Sequence, residues 1–262
     1  MEILLLIMLA AGIVLAMTVA WAIQMRTESS GWIDVIWAFT TGLGGVTAAI
    51  LPGAGNGQRR WWVAALIAAW SLRLGLHLLK RTQGKADDPR YAAIRARLKS
   101  HWSLYLFGML QIQGACAFML VVCVRLAATN PMPFPGLFDL AGIGLLIIAV
   151  AGEGVADAQL AQFSKTHEHA VCDIGLWRWS RHPNYFFEWL GWCAWAILAV
   201  DVSTGGLSWS LIGFVAPVLM YVLLVHVSGI PPLENHMLES RSDTFKAYQN
   251  RVNAFFPGPN NH

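Results

Sequence analysis

The chain has 262 residues, 56% of them hydrophobic and only 13% charged, with 13 Trp and a net charge of +3. Soluble domains carry about 25% charged residues, and no long polar region is left over to build one. The composition therefore excludes an ordinary soluble enzyme, and the small positive charge gives no nucleic-acid footprint. What it suits is an all-α, polytopic integral membrane protein, one membrane domain over residues 1–262 with membrane lipids around it.

A membrane span needs about 20 mostly apolar residues. The first candidate, 2–25, has no basic residue before Arg26, so it lacks the positive n-region of a signal peptide and reads as a retained span. Six more stretches qualify: 32–52, 61–79, 103–127, 137–161, 184–201 and 206–227. A polar connector, 80–102, and a tail, 228–262, remain. No CxxC pair occurs among Cys116, Cys123, Cys172 and Cys193, so neither a metal site nor a redox pair is expected.

Lys and Arg in short loops set the orientation. The connector holds Lys80, Arg81, Lys85, Arg90, Arg95, Arg97 and Lys99; loop 162–183 holds Lys165, Arg178 and Arg181; the tail holds Arg241, Lys246 and Arg251. Loops 128–136 and 202–205 hold none. Seven transmembrane helices then place the N-terminus outside and the C-terminus in the cytoplasm. Arg59 and Arg60 disagree, falling on the outer side.

Polar residues from several of the spans come to one end. Asp34 opens the second span, Arg73 and His77 close the third, Glu153 and Asp157 close the fifth, Asn184 and Glu188 open the sixth, and His226 closes the seventh, with Glu234 just beyond it. Ionisable side chains at membrane depth are expensive and face a bundle interior or a watery cavity. Their asymmetry predicts one polar cavity opening to the cytoplasm. Glu153 and Asp157 are i, i+4 neighbours on one helical face, too short to snorkel as Lys and Arg do.

The segment "WRWSRHPNYFFEW", Trp177 to Trp189, gathers polar groups at the mouth of the sixth span. Pro183 suits a first helical turn, which puts Arg181 and His182 at a helix N-terminus, where free N–H groups attract phosphate. Arg can add a bidentate phosphate contact. A positive inner end, planar neighbours and a buried acid suit an anionic nucleotide entering from the cytoplasm. An interfacial aromatic belt with basic flanks has the same composition.

The order "GEGVADAQLAQF", "CDIGLWRWSRHPNYFFEWLGW", "SGIPPLENHMLESRSDTFKAYQNRVNAFFP", with "GWIDVIWAF", "SLRLGLHLLKR" and "DDPRY" upstream, resembles an uncharacterised bacterial membrane family related to steroid 5-alpha-reductases. The resemblance runs from about Gly31 to Pro257 and implies a bacterial inner-membrane location. "RHPNY" is shared with sterol reductases, and isoprenylcysteine carboxyl methyltransferases carry a close relative.

In the reductases these segments surround NADPH. The resemblance therefore implies cofactor contacts from Asp157 and Gln159 in "ADAQ", Trp177 in "GLWRW", Arg181, His182, Asn184 and Tyr185 in "RHPNY", Glu234, and Tyr248 in "KAYQNRV". Asp34 is the nearest match to the acid that contacts the steroid carbonyl, although Ile33-Asp34 stands where those enzymes have Gln-Glu, and Trp70 falls near the place of their substrate tyrosine. Lys165 stands near the Lys/Arg positions of the sterol reductases, which here are Leu160 and Ser164.

Two chemistries fit. The first is NAD(P)H-dependent reduction of a carbon–carbon double bond in a lipophilic substrate, with Asp34 or Glu188 as the acid. Asp34 could be protonated by burial and donate, could be charged and orient a donor, or could be an interfacial cap. The second is methyl transfer from S-adenosylmethionine, with Arg181 on its carboxylate. Arg178, Arg181, His182 and Lys165 together favour a phosphorylated nucleotide. A third class, a non-enzymatic lipid-binding or transport protein, lacks the paired broken spans of transporters.

Overall fold

The computed structural model describes residues 2–83, 95–167, 170–203 and 209–259, and every regular element among them is helical. The connector residues Lys85 and Arg90 lie outside the described residues. The helices are α1 Glu2–Thr27, α2 Gly31–Ile50, α3 Gly57–Thr82, α4 Trp102–Ala128, α5 Leu137–Thr166, α6 Pro183–Leu198, α7 Val215–Tyr221, α8 Ile230–Ser240 and α9 Ser242–Arg251. The chain divides into two compact units: Met1–Gly136 with Ala199–Val215, and Leu137–Leu198 with Ala216–His262.

Among the described residues six helices are long and apolar enough to cross a membrane, including Leu137–Thr166 and the continuous stretch Ser210–Ser240. The sixth predicted span differs. Its helix α6 has 16 residues, about 24 Å at 1.5 Å per residue, short of the ~30 Å hydrocarbon core. The seventh is not one regular helix. It passes from a 3-10 segment, Trp209–Phe214, through α7 into a π turn, Val222–Val227. There Ser228 N donates to Leu223 O at 2.8 Å, five residues back. Pro231 and Pro232 follow and have no N–H to extend the ordinary ladder.

In the first unit, Leu9, Ile13, Met17 and Ala20 recur every three or four residues on α1 and pack against Leu106, Leu110, Ala117 and Val121 of α4. The opposite face of α1 shows Ile3, Leu4, Met8 and Leu15, all exposed, as lipid contact requires. Helices α2 and α3 meet through glycine. A Cβ on Gly45 would lie 2.7 Å from Ile67, one on Gly75 would lie 2.6 Å from Phe39, and one on Gly42 would overlap the Ser71 side chain. Small residues bring helices close where lipid provides no hydrophobic drive.

One end of this unit is closed by two buried arginines. Arg125, 4% exposed, donates to Ala48 O (2.7 Å), Leu51 O and Pro52 O (both 2.8 Å) and pairs with Glu2. It thereby satisfies the carbonyls that α2 leaves open at its C-terminus. Arg59, 2% exposed, donates to Asn130 O (2.8 Å) and Pro133 O (3.3 Å), with its guanidinium 5.5 Å from the centre of the Phe134 ring. The discordant Arg59 is thus committed to backbone carbonyls.

In the second unit, α5 buries Asp139, Gly142, Leu146, Ala149, Glu153 and Ala156, one helical face. That face meets α6, where a Cβ on Gly142 would lie 2.6 Å from Leu198 and one on Gly191 would lie 3.6 Å from Leu146. Gly152 leaves the room that the Phe187 ring fills.

Candidate functional site

The predicted residues of the second unit converge where the end of α5, the loop before α6 and the C-terminal helices meet. Trp177, buried, donates from Nε1 to Ala156 O at 3.0 Å. Gln159 Oε1 accepts from Leu176 N at 2.9 Å. Between them Gly175 adopts φ +54° against the Gln159 amide, a left-handed conformation that glycine adopts without strain. These bonds fasten "ADAQ" to "GLW".

The loop then turns into α6. Ser180 Oγ accepts from His182 N at 3.1 Å, and Pro183 opens the helix. Asn184 accepts from Tyr185 N (3.1 Å) and donates to Asp157 Oδ1 (3.3 Å), joining the first turn of α6 to α5. The Tyr185 ring stacks on His182 with centroids 5.5 Å apart.

Glu234, on α8 and 9% exposed, is the hub. Its carboxylate accepts from Arg181 Nε (2.8 Å) and Nη2 (3.1 Å), from Gln249 Nε2 (2.7 Å), and contacts His182 Nε2 at 2.8 Å. Arg181 Nη1 donates to Gln249 O (3.2 Å) and Val252 O (2.5 Å), the open carbonyls at the end of α9. Burial holds the His182 ring below its usual pKa, outweighing the hydrogen bond and charge of Glu234. A neutral ring protonated on Nε2 donates to the carboxylate and leaves Nδ1 as an acceptor.

Tyr248 donates from its hydroxyl to Trp177 O at 2.5 Å, and burial pushes its phenol pKa up. Ser180 Oγ donates to Phe255 O at 2.8 Å, Arg181 N donates to Asn253 O at 2.8 Å, and Gly258 N donates to Trp179 O at 3.0 Å. Phe255 is buried among Phe186, Trp189 and Tyr221, with centroids 5.4–5.9 Å away.

The other predicted residues stand apart from this network. Lys165 and Arg178 are exposed. Glu188 is buried on α6 and accepts from Trp192 Nε1 at 2.9 Å. Asp34 belongs to the first unit and is exposed in the first turn of α2, so burial is not what sets its chemistry. It stands four residues after Ser30, the N-cap residue. Among the described residues no group of three or more His, Cys, Asp or Glu is placed to hold a metal ion. Gln249, Ser180 and Phe255 were not legible as site residues; the signal was that all three lie in segments that carry the resemblance.

Described residues that are all helical, with six helices of membrane-crossing length among them, are compatible with an integral membrane protein. The chain belongs to the family described as "Protein of unknown function (DUF1295)", a steroid 5-alpha-reductase-like family, which it matches over residues 20–252. It is similar to "Uncharacterized protein C594.04c" of Schizosaccharomyces pombe, 24% identical over 274 residues covering 91% of this chain and 76% of the fungal protein. No solved structure matches.

Proposed function

We propose that the chain is a membrane reductase that uses NAD(P)H to reduce a carbon–carbon double bond in a lipophilic substrate, binding the nucleotide from the cytoplasmic side. The observation that carries this reading is the convergence just described. Four separated segments, around Asp157, Trp177, Arg181–Tyr185 and Glu234–Tyr248, assemble one surface at the N-terminus of α6. The positive end of that helix favours a phosphate, while the His182 and Tyr185 amides are held by Ser180 Oγ and Asn184 Oδ1, and Arg178 and Lys165 are exposed cations of the same unit's loop and α5 end. Glu188, which accepts from Trp192 Nε1, is the acid of the reading on α6. Asp34 is the second acid of the reading.

Hydride would pass from the nicotinamide to the β-carbon of an activated alkene, and a proton from the acid or water to the α-carbon. Bringing the two reactants together provides the entropic part of the rate. Methyl transfer from S-adenosylmethionine is the second reading. The commitment of Arg181 to Glu234 and the α9 carbonyls takes a phosphate ligand from the first reading and the carboxylate ligand from the second, so it does not choose between them. Purification in mild detergent followed by mass spectrometry of the released small molecules separates them. NADPH or NADH is expected; S-adenosylmethionine in their place would replace the reductase reading with the methyltransferase.

The reading also takes seven spans, with the N-terminus outside, in a bacterial inner membrane. The burial of Arg59 weakens the conflict with the loop-charge rule, and half-buried Arg60 keeps the other part of it. With the native cysteines replaced, Pro131→Cys should react with an impermeant thiol reagent applied to intact cells, and Lys165→Cys should react only after lysis. Both positions are exposed, so the reverse pattern would invert the topology.

A further inference from the structure

Arg181 looked from sequence like a phosphate ligand. Its surroundings assign it a different task. Of the five N–H donors on a guanidinium, four are taken within the chain: two by Glu234, one by Gln249 O and one by Val252 O. Its backbone N–H is taken as well, by Asn253 O. Every one of these partners lies on α8, α9 or the residues just after α9.

The same C-terminal segment is fixed at several other points. Tyr248 donates to Trp177 O, Ser180 to Phe255 O, and Gly258 to Trp179 O. Arg251 pairs with Asp173 at 3.3 Å. The bonds alternate in direction, some donated by the loop and some by the tail. They run from Asp173 to His182 on one side and from Glu234 to Gly258 on the other. A segment bonded this way forms a strap over the loop that leads into α6.

We infer that Arg181 and Glu234 are positioning residues: together they fasten this C-terminal strap to the N-terminus of α6, and the strap gives the candidate nucleotide surface its shape. The cations left for a ligand on the loop and at the end of α5 are then the exposed Arg178 and Lys165. Two features argue against a primarily ligand-binding Arg181. The guanidinium meets Glu234 with two nitrogens on two oxygens, the geometry of a stable internal pair. The carbonyls it also reaches close the C-terminus of α9, where cations are favoured. The location of the nucleotide surface rests on the reading proposed above; the strap itself does not.

The test is hydrogen exchange on the full chain in detergent, with no nucleotide added. The reporters are the amides of Arg181, Val252 and Gly258, which donate to Asn253 O, Tyr248 O and Trp179 O. Arg181→Gln and, from the other side of the loop, Ser180→Ala should both speed exchange at the Val252 and Gly258 amides. For Arg181→Gln the change should be on the order of tenfold or more, since charge-assisted hydrogen bonds are lost. Amides of α1 to α4 should keep their rates. Unchanged exchange of the strap in Arg181→Gln would overturn the inference.

A binding arm then reads the division of roles. NADPH and adenosine, which has no phosphate, are titrated against the wild type, Arg181→Gln and Arg178→Gln. A positioning Arg181 weakens both probes by the same factor, whereas Arg178→Gln weakens NADPH alone. Loss confined to NADPH in Arg181→Gln would make Arg181 a phosphate ligand and overturn the inference. If neither probe binds the wild type, the nucleotide reading fails, and the exchange arm still decides the strap.

Discussion

Replacing Arg125 with leucine should destabilise the first unit by about 3–5 kcal/mol, the range for removing one partner of a buried charged network. Four partners lose their donor at once: the carbonyls of Ala48, Leu51 and Pro52 and the Glu2 carboxylate. Ala48 O is the heaviest part, because a buried acceptor left unpaired keeps its full desolvation cost, whereas Leu51 O and Pro52 O are only partly buried and Leu51 O keeps Arg60 Nη1 at 3.5 Å. Glu2→Gln gives the control. The Glu2 side chain is 53% exposed, so its half of the pair is screened and contributes little. Thermal unfolding in detergent, followed by the reactivity of the buried Cys123 thiol on α4, measures both variants. A midpoint for Arg125→Leu no lower than that of Glu2→Gln would show that the carbonyls find other partners and that Arg125 does not close α2.

The contrast between Arg125 and the apolar runs shows what the sequence can express. A stretch of 20 apolar residues must satisfy its backbone within itself, so length alone made helices of 2–25, 32–52, 61–79, 103–127 and 137–161 legible, and the observed helices Glu2–Thr27, Gly31–Ile50, Gly57–Thr82, Trp102–Ala128 and Leu137–Thr166 follow those runs closely. Helix α5 continues past its apolar run to Thr166 because polar residues sustain the backbone ladder as well as apolar ones once outside lipid. Hydropathy is equally blind to where an apolar run changes register. The π turn at Val222–Val227 and the 16-residue length of α6 have no signature in a window average. Arg125 and Arg59 were invisible for another reason. Their partners are backbone carbonyls 71–77 residues distant in the chain, and no residue type marks a carbonyl.

The site was legible in its membership more than in its wiring. Asp157, Gln159, Trp177, Arg181, His182, Asn184, Tyr185, Glu234 and Tyr248 came from the resemblance, and all lie in one unit, joined by hydrogen bonds or a ring contact. Which of them face a ligand and which face each other depends on tertiary distances. An arginine before a helix reads as an anion site until an acid 53 residues later is found 2.8 Å away. Gln249 reads as a solvated tail residue until its amide is placed 2.7 Å from the same acid.

Glu234 is where these bonds meet, so its loss should be the most damaging change in the second unit. Glu234→Leu has about the right volume for the site but accepts no hydrogen bond. It strips Arg181 of its counter-charge and leaves the His182 and Gln249 donors without their acceptor. Removing one partner of a buried pair costs about 3–5 kcal/mol, and the strap residues from Tyr248 to Gly258 should loosen with it. Glu234→Gln is the sharper variant. It keeps one oxygen for Arg181 or His182, but the second oxygen becomes an amide that can only donate. That amide would face either the Arg181 guanidinium or the Gln249 amide, donor against donor. The expected loss is about 1.5–3 kcal/mol, the size of one charge-assisted hydrogen bond. Limited proteolysis reads the local effect: cleavage after Arg251, at the end of α9, should be faster in Glu234→Gln and faster still in Glu234→Leu, at temperatures where the first unit stays folded. A second substitution, Gln249→Glu, separates the charge from the geometry. In the Glu234→Gln background it returns an acceptor and a negative charge to the same place from the α9 side, and should restore part of the protection. Equal cleavage in wild type and Glu234→Leu would mean that the aromatic packing of Phe255 alone holds the tail, with the ion pair incidental to it.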